Sequence, residues 1–261
     1  MKIDNSLRQE CMPEMVYSIC KLAGYKSYTK EELKSLITLN NSDSPNYNKV
    51  YNFALECEFL SENLSGTINT NFSDKELSCF RNFRYAIFRD VFKDSNNIFT
   101  NLTRWYLTQS REILSVKSAE DFQIAIPREQ FGNISKEYVL GFRFWLSALG
   151  LAMLQKAGVG RVAVFATNSI LLDWIEFEKP FKKGKSTLAR DFITKLIQDC
   201  PAFSDCTSEN SINLALSMGL RVLHQNEIIE LKYTADSSDV WHLIASINSP
   251  NTNNISEIIV R

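Results

Sequence analysis

The spacing of apolar positions changes within residues 211–245. Apolar residues recur at helical spacing through 212–223, and those of 228–233 then follow the pattern of a strand. A polar cluster at 235–239 separates this run from a second strand-like run at 240–244, as expected of a hairpin. The segment therefore predicts one helix that leads directly into a two-stranded ribbon, or wing.

The N-terminal part of the chain repeats this plan. Residues 13–23 form a predicted amphipathic helix, and Thr29 with Glu32 makes a capping box that starts a second helix. Residues 46–57 predict a third helix, and residues 59–69 predict a small hairpin. Three helices followed by a hairpin is the order expected of a helix-turn-helix with a wing, that is, a winged helix.

Helical patterns fill most of the remaining chain. They are predicted at residues 74–92, 97–107, 135–157, 169–177 and 186–199. The third of these is the longest; Ser135 is its predicted N-terminal cap, and it ends at Gly158. Residues 162–166 are too short and too β-branched for a helix, so they are either a strand or the buried start of the next element. The last two helices complete a second winged unit.

The fold class that follows is mainly α with small β wings, in which tandem winged-helix units flank a helical middle region. The predicted boundaries are 1–72 for the N-terminal winged helix, 73–160 for the middle region and 161–261 for the C-terminal winged helix. A chain of 261 residues allows one large or two small units at roughly 150 residues per domain.

Composition limits the classes of function. The chain is 44% hydrophobic and 23% charged, with a net charge of −1. A nearly neutral total gives no general support for nucleic-acid binding, so any such surface must be local. Residues 1–6 contain no apolar leader, and the apolar run 144–154 is shorter than the roughly 20 residues of a membrane span. We therefore expect a cytoplasmic protein without a membrane segment.

Cysteine spacing predicts no metal site. The six cysteines are Cys11, Cys20, Cys57, Cys79, Cys200 and Cys206. They contain no C-x-x-C pair, whereas structural zinc sites use closely spaced ligands. No cofactor is expected either.

A strand motif leaves one catalytic alternative. Glu230 and Lys232 form an E-x-K pair, as in metal-dependent nucleases whose carboxylate holds Mg²⁺ and whose ammonium positions water. Such a nuclease also needs an acidic residue on a neighbouring upstream strand, and the candidates for it, Asp205 and Glu209, lie in a predicted loop before a helix. The competing interpretation is a wing with alternating solvent-facing charges.

A cluster of basic residues is the main candidate for contact with nucleic acid. It comprises Lys179, Lys182, Lys183, Lys185 and Arg190. Arg221, in the helix predicted at 212–223, is a further candidate for contact with nucleic acid. Such residues contact phosphates and position a protein without reading sequence. The competing interpretation is a solubilising loop.

In a winged helix, the helix before the hairpin is the recognition helix, which here would be 46–57 in the first unit and 212–223 in the second. Both helices are poor in base-reading residues. Asn48, Lys49 and Asn52 in the first are accompanied by Glu56 and Glu58, and the second offers only Asn213, Ser217, Arg221 and His224. Base readers usually present Arg, Lys, Asn or Gln to the groove. This composition argues against sequence-specific DNA recognition.

The aromatic-rich centre is a candidate surface for a partner protein. Its predicted contact residues are Arg84, Arg89, Phe92, Trp105 and Tyr106. Two helices there carry more large rings than one apolar stripe of each readily buries, and aromatic and arginine residues are common interface anchors. The alternative is one thick core that absorbs them all.

The layout resembles the winged-helix accessory subunits of prokaryotic anti-phage defence operons, the DpdG-like proteins. The resemblance is carried by residues 46–69, 102–107, 141–150 and 214–243. It implies a non-catalytic component that works beside an ATPase, helicase or nuclease encoded nearby. The tandem winged-helix subunits that bridge SMC-type ATPases share the plan, but the long helical middle departs from theirs.

The predicted function is therefore a non-catalytic adaptor or DNA-engaging subunit of a multiprotein bacterial anti-phage defence complex. Its partners would be other subunits of that complex and, in the DNA-engaging case, DNA bound without sequence specificity. The alternatives are a winged-helix transcriptional regulator or a subunit of an SMC-type ATPase complex, and third a nuclease that uses Glu230 and Lys232.

Overall fold

The computed structural model describes residues 1, 3, 6–38, 45–157, 160–246, 248 and 250–261. The fold is mixed α/β, about half helical, with several small and mainly antiparallel sheets. Its contacts divide the chain into two compact units. Unit 1 comprises Met1–Phe99 and Ser118–Leu149, and unit 2 comprises Thr100–Lys117 and Gly150–Arg261. Across the described residues, we find no helix long and apolar enough to cross a membrane.

Unit 1 is built mainly from helices around one small sheet. Its elements are α1 Pro13–Tyr25, β1 Tyr28–Thr29, α2 Lys30–Ile37, α3 Pro45–Glu56, β2 Leu60–Glu62, β3 Thr67–Thr70, α4 Phe80–Val91, the start of α5 Ile98–Thr108, α6 Ala119–Ala125, α7 Arg128–Phe131 and α8 Lys136–Ala148. The three strands are antiparallel in the order β1-β3-β2.

Two predicted helix starts in unit 1 are confirmed. The backbone N–H of Thr29 donates to a carboxylate oxygen of Glu32 at 2.8 Å, and the N–H of Glu32 donates to Thr29 Oγ1 at 3.3 Å. Ser135 caps α8 by accepting from the N–H of Tyr138 at 3.1 Å. These bonds satisfy donors that the first turn of a helix otherwise leaves unpaired.

The core of unit 1 is rich in aromatic rings. Trp145 of α8 is fully buried against Phe53 and Phe59, with ring centroids 5.6 and 5.9 Å away. Its indole N–H donates to the backbone oxygen of Cys11 at 2.8 Å. This bond removes the cost of burying the polar edge of the ring.

Close packing of α8 leads to the first prediction. A methyl group on Gly141 would lie 2.6 Å from the backbone oxygen of Arg8, whereas one on Gly24 would meet the end of the Leu77 side chain at 2.8 Å. Backbone cannot move aside as a flexible side chain can. We expect Gly141→Ala to lower the free energy of unfolding by about 1–3 kcal/mol.

The matched control is Gly24→Ala, also within a helix of unit 1. Alanine has the better helix propensity, so this change should remain within about 1 kcal/mol of the wild type. Urea denaturation measures both. Equal stability of the two variants would contradict the close approach of α8 to Arg8.

Unit 2 is formed mainly by the second half of the chain. After the remainder of α5 and a 3₁₀ helix at Arg111–Ser115, its elements are β4 Ala152–Ala157, β5 Gly160–Phe165, α9 Asn168–Glu178, β6 Ser186–Leu188, α10 Ala189–Asp199, a 3₁₀ helix at Pro201–Phe203, β7 Thr207–Ser208, β8 Ser211–Ile212, α11 Leu214–Gln225, β9 Ile229–Lys232, β10 Trp241–Leu243, a 3₁₀ helix at Pro250–Thr252, β11 Asn254–Ile255 and β12 Glu257–Val260. Its sheets run β6-β12-β9, β11-β10-β8-β7 and β4-β5.

One order of elements occurs in both units. Unit 1 has helix, strand, helix, helix, strand, strand from α1 to β3. Unit 2 has the same order in α9, β6, α10, α11, β9 and β12, with the strands β7, β8, β10 and β11 inserted between them. In each three-stranded sheet the last strand in sequence lies in the middle, between the first and the second.

The wing predicted for the second unit is wrong in its pairing. The strand β9 pairs antiparallel with β12, from Ile229 opposite Val260 to Lys232 opposite Glu257. Residues 241–243 instead join a separate sheet, parallel to β8 and antiparallel to β11. The local pattern indicated strands correctly, but pairing depends on contacts between distant residues.

The longest predicted helix is also wrong in its last part. The helix α8 ends at Ala148, and Ala152–Ala157 is strand β4. Gly150 adopts a φ of +74°, which ends the helix and which other residues rarely adopt. A continuous apolar run fits a buried helix or a strand equally well. Residues 162–166 lie mostly in the partner strand β5, and Gly158 lies outside the described residues.

The helix predicted at 74–92 also begins later than expected, because α4 starts at Phe80. Before it, the Ser73 hydroxyl and backbone N–H both donate to a Glu76 carboxylate oxygen, which holds a separate turn.

Candidate functional site

The segment 179–185, here called the lysine loop, connects α9 to β6. Lys179 ends α9 in the left-handed conformation, with φ 47° and ψ 51°, and its N–H donates to the oxygen of Ile175 at 3.2 Å. Near the other end, the N–H of Gly184 donates to the oxygen of Val260 at 2.7 Å. Both ends of the lysine loop are therefore fixed to secondary structure.

An aromatic anchor fixes the middle of the lysine loop. The Phe181 ring stacks on Phe192 of α10 with centroids 5.2 Å apart and an angle of 19°. Trp174 of α9 meets both rings edge-on, at 6.1 and 5.3 Å. Because Phe181 is tied to the core of unit 2, the neighbouring lysines extend from a fixed segment of backbone.

The four lysines of this loop, Lys179, Lys182, Lys183 and Lys185, are exposed. Neighbouring cations of unit 2 have acidic partners: Arg190 pairs with Asp239 at 2.9 Å, Lys195 pairs with Asp199 at 2.7 Å, and Arg261 pairs with Glu230. Over the described parts of the chain, none of the four loop ammonium groups contacts a carboxylate. The structure thus places on one short loop four exposed lysines that form no ion pair with a described residue.

The two predicted arginines are placed differently from the lysines. Arg190 remains exposed beside its partner Asp239. Arg221 is 8% exposed, and its guanidinium donates at 2.9 Å each to Thr252 Oγ1 and Asn253 Oδ1. These bonds and its burial separate Arg221 from the exposed basic cluster, so it does not offer a phosphate contact in this structure.

The other polar residues predicted on α11 are also engaged within unit 2. The Asn213 carboxamide caps the helix and donates to the oxygen of Leu107 at 2.8 Å. The buried Ser217 hydroxyl donates to the oxygen of Ile212 and accepts from the N–H of Ile244. His224 Nδ1 lies 3.3 Å from the N–H of Leu231. These internal bonds leave α11 poorly equipped to read bases.

In unit 1, the corresponding helix α3 exposes Asn48, Lys49 and Asn52. Lys49 forms an ion pair with Glu10 at 2.5 Å, and this hydrogen bond lowers the pKa of the Glu10 carboxyl. Glu56 and Glu58 are exposed close by in sequence. The charge on this helix is therefore largely compensated.

Two of the five predicted partner-binding residues are fully buried. Phe92 lies against Phe88 and Phe99, and Tyr106 lies 5.0 Å from the ring of Phe165. Trp105 and Arg84 are half-buried, whereas Arg89 is exposed and contacts Glu76 at 3.4 Å. The cores of the units absorb Phe92 and Tyr106, so neither ring presents a surface to a partner.

The residues of the nuclease alternative do not form a metal-binding group in this structure. The Glu230 carboxylate is bound by the guanidinium of Arg261, and both line a cleft with His224 and Glu227. Searching the described residues reveals no group of three His, Cys, Asp or Glu side chains that could hold a metal ion.

Burial explains the state of most cysteines. All six are free thiols, and only Cys79 is exposed. Burial raises the pKa of Cys11 to about 11 and that of Cys206 to about 12, so both are protonated near neutral pH. Thiolates are the form that binds metals.

Sequence analysis missed a cleft of about 470 Å³ on α11. Leu214, Met218 and Val222 lie along it, and Ile244 adds to its wall. The signal was present, because these three residues of α11 recur every fourth position and form a second apolar stripe. The stripe was overlooked because residues 240–244 were predicted to form a wing.

No family model matches this chain, and comparison with curated proteins and with solved structures likewise finds no match.

Proposed function

We propose that this protein is a non-catalytic, DNA-engaging adaptor subunit of a multiprotein complex, and that the lysine loop is its contact with the phosphate backbone. The observation that carries the proposal is a set of four exposed lysines on an anchored loop, none of which forms an ion pair with the residues that the structure describes. Duplex DNA carries one negative charge per about 1.7 Å, and lysines that neutralise phosphates release bound counterions.

The form of the loop supports backbone contact over base reading. Flexible ammonium groups attract phosphates as point charges, but they lack the planar bidentate geometry of specific base contacts. The polar groups of α11 that would supply specificity are bonded within unit 2. The proposal therefore favours weak, sequence-independent binding over an operator-specific regulator.

Within this proposal, each unit contains a winged helix. The shared order of helix, strand, helix, helix, strand, strand, with the last strand central, supports that assignment. In the second winged helix, β12 replaces residues 240–244 as the returning strand. The boundaries 1–72, 73–160 and 161–261 remain predictions.

The proposed biological setting is a bacterial anti-phage defence complex. The resemblance to DpdG-like accessory subunits supports it. Its partners would be an ATPase, helicase or nuclease encoded nearby. Co-purification of tagged protein with its genomic neighbours tests this setting, and a chain that elutes without any of them under low salt would contradict it.

Fluorescence anisotropy with two 20-bp duplexes of unrelated sequence tests the DNA contact. We expect similar affinities for both, with binding that weakens steeply as salt rises. A strong preference for one duplex, retained at high salt, would instead favour a transcriptional regulator.

A further prediction concerns hydrolysis. Because Glu230 is paired with Arg261, we expect no cleavage of plasmid with Mg²⁺ or Mn²⁺ and no hydrolysis of ATP by the isolated protein. Agarose gels and phosphate release measure these reactions. Cleavage by the wild type that Glu230→Gln abolishes would overturn the non-catalytic assignment.

A further inference from the structure

The cleft on α11 combines an apolar floor with two arginines. Half-buried Leu214, Met218 and Val222 provide the floor, and Ile244, 39% exposed, provides part of the wall. Arg111 and Arg221 line the same cleft. The cleft is distinct from the lysine loop, since none of its lining residues belongs to 179–185.

Within the part of the chain that the structure describes, the two arginines of the cleft have no acidic partner. Arg221 is 8% exposed, and its guanidinium donates there to the neutral acceptors Thr252 and Asn253. Arg111 is exposed and donates to the backbone oxygen of Ala245 at 3.5 Å. Among the described residues, no Asp or Glu lines the cleft. Buried charges in proteins are usually paired with an opposite charge.

We propose that this cleft binds an acidic amphipathic segment of a partner protein. Apolar side chains of the segment would cover Leu214, Met218 and Val222, and a carboxylate beside them would bind the exposed guanidinium of Arg111. The segment would supply both the apolar cover and the negative charge that the cleft lacks.

The chemistry of the cleft argues for a peptide over DNA. The phosphate backbone offers charge but no side chains to fill an apolar floor. Recognition of an amphipathic segment in an apolar groove is a common mode of protein binding, with anchors three or four residues apart. Leu214, Met218 and Val222 form the apolar floor against which such anchors would pack.

Phage display with a random 12-mer peptide library tests the proposal. The wild type is the target, and Met218→Asp is used for counter-selection. We expect enriched peptides with Asp or Glu beside Leu, Ile or Phe, and at least about tenfold weaker binding to Met218→Asp, because its charge enters the apolar floor. A library without Met218-dependent binders, or binders without acidic residues, would overturn the proposal.

A charge exchange identifies the arginine contact. For an enriched peptide, Arg111→Glu should weaken binding at least about tenfold, and a peptide with Lys in place of its acidic residues should regain affinity for Arg111→Glu. Arg111 is exposed, so the exchange spares the core, and circular dichroism verifies the fold. An unchanged affinity would refute the contact with Arg111.

Two controls separate this surface from the others. A variant in which the four loop lysines are alanine should bind the peptide as the wild type does, even if the proposed DNA contact proves wrong. Light scattering measures self-association: a dimer that Met218→Asp dissociates would mean that a second copy of this chain occupies the cleft, which would also overturn the proposal.

Discussion

Simultaneous replacement of Lys179, Lys182, Lys183 and Lys185 by alanine should remove most of the salt dependence of DNA binding. Each lost duplex contact lowers the log–log slope of affinity against salt by about 0.9, so four contacts account for about 3.6. Between 50 and 200 mM salt, these contacts alone would weaken wild-type binding on the order of 100-fold. Fluorescence anisotropy over this range measures the slopes.

The matched control removes four lysines from unit 1: Lys21, Lys26, Lys75 and Lys93. This control changes the net charge by the same amount, so it isolates the position of the charges from their number. We expect its slope to stay within about 1 of the wild type, since no contact is lost. Equal losses in both variants would mean that the lysine loop has no special role.

Trp174→Ala should cause the largest loss of stability that we predict in unit 2. Trp174 is fully buried, lies edge-on to Phe181 and Phe192, and donates from its indole to Asp199 at 2.9 Å. Truncation leaves a cavity and removes this hydrogen bond. The expected decrease in the free energy of unfolding is about 3–5 kcal/mol.

Phe177→Ala on the same helix is the control, because Phe177 is 36% exposed. It should lower stability by about 1 kcal/mol, as less apolar area leaves the core. Denaturant titrations followed by circular dichroism compare the two variants. A loss as small for Trp174→Ala as for Phe177→Ala would contradict the packing described for α9 and α10.

Local signals predicted many elements correctly. The capping box at Thr29, the Ser135 cap and the apolar spacing of α9 and α11 each depend on residues a few positions apart. Side chains at such separations meet as soon as the helix forms. The sequence therefore contains the information for these elements without reference to the rest of the chain.

Strand pairing was not predictable in the same way. Trp241 and Leu243 alternate with exposed His242 as a strand should, yet their partners are β8 and β11. The buried residues of β12 pair instead with both β9 and β6. Register and partner depend on which apolar faces meet in the folded core.

The candidate site, too, was predictable only where it depends on residues close together in the sequence. Four lysines within seven residues are visible in the sequence, and their exposure follows from their charge. The burial of Arg221 depends on Thr252 and Asn253, some thirty residues away. It could therefore not be predicted from the position of Arg221 on α11. The cleft on α11 was missed for the same reason, since Ile244, which follows β10, joins its wall only in the folded chain.

Lysine acetylation footprinting by mass spectrometry tests the central claim most directly. The protein is modified with and without a saturating DNA duplex at low salt, and the rate at each lysine is compared. We predict protection of Lys179, Lys182, Lys183 and Lys185, with unchanged rates at Lys21, Lys26 and Lys75. Protection of Lys49 on α3 without protection of the lysine loop would contradict the account, because DNA would then lie on α3 of unit 1.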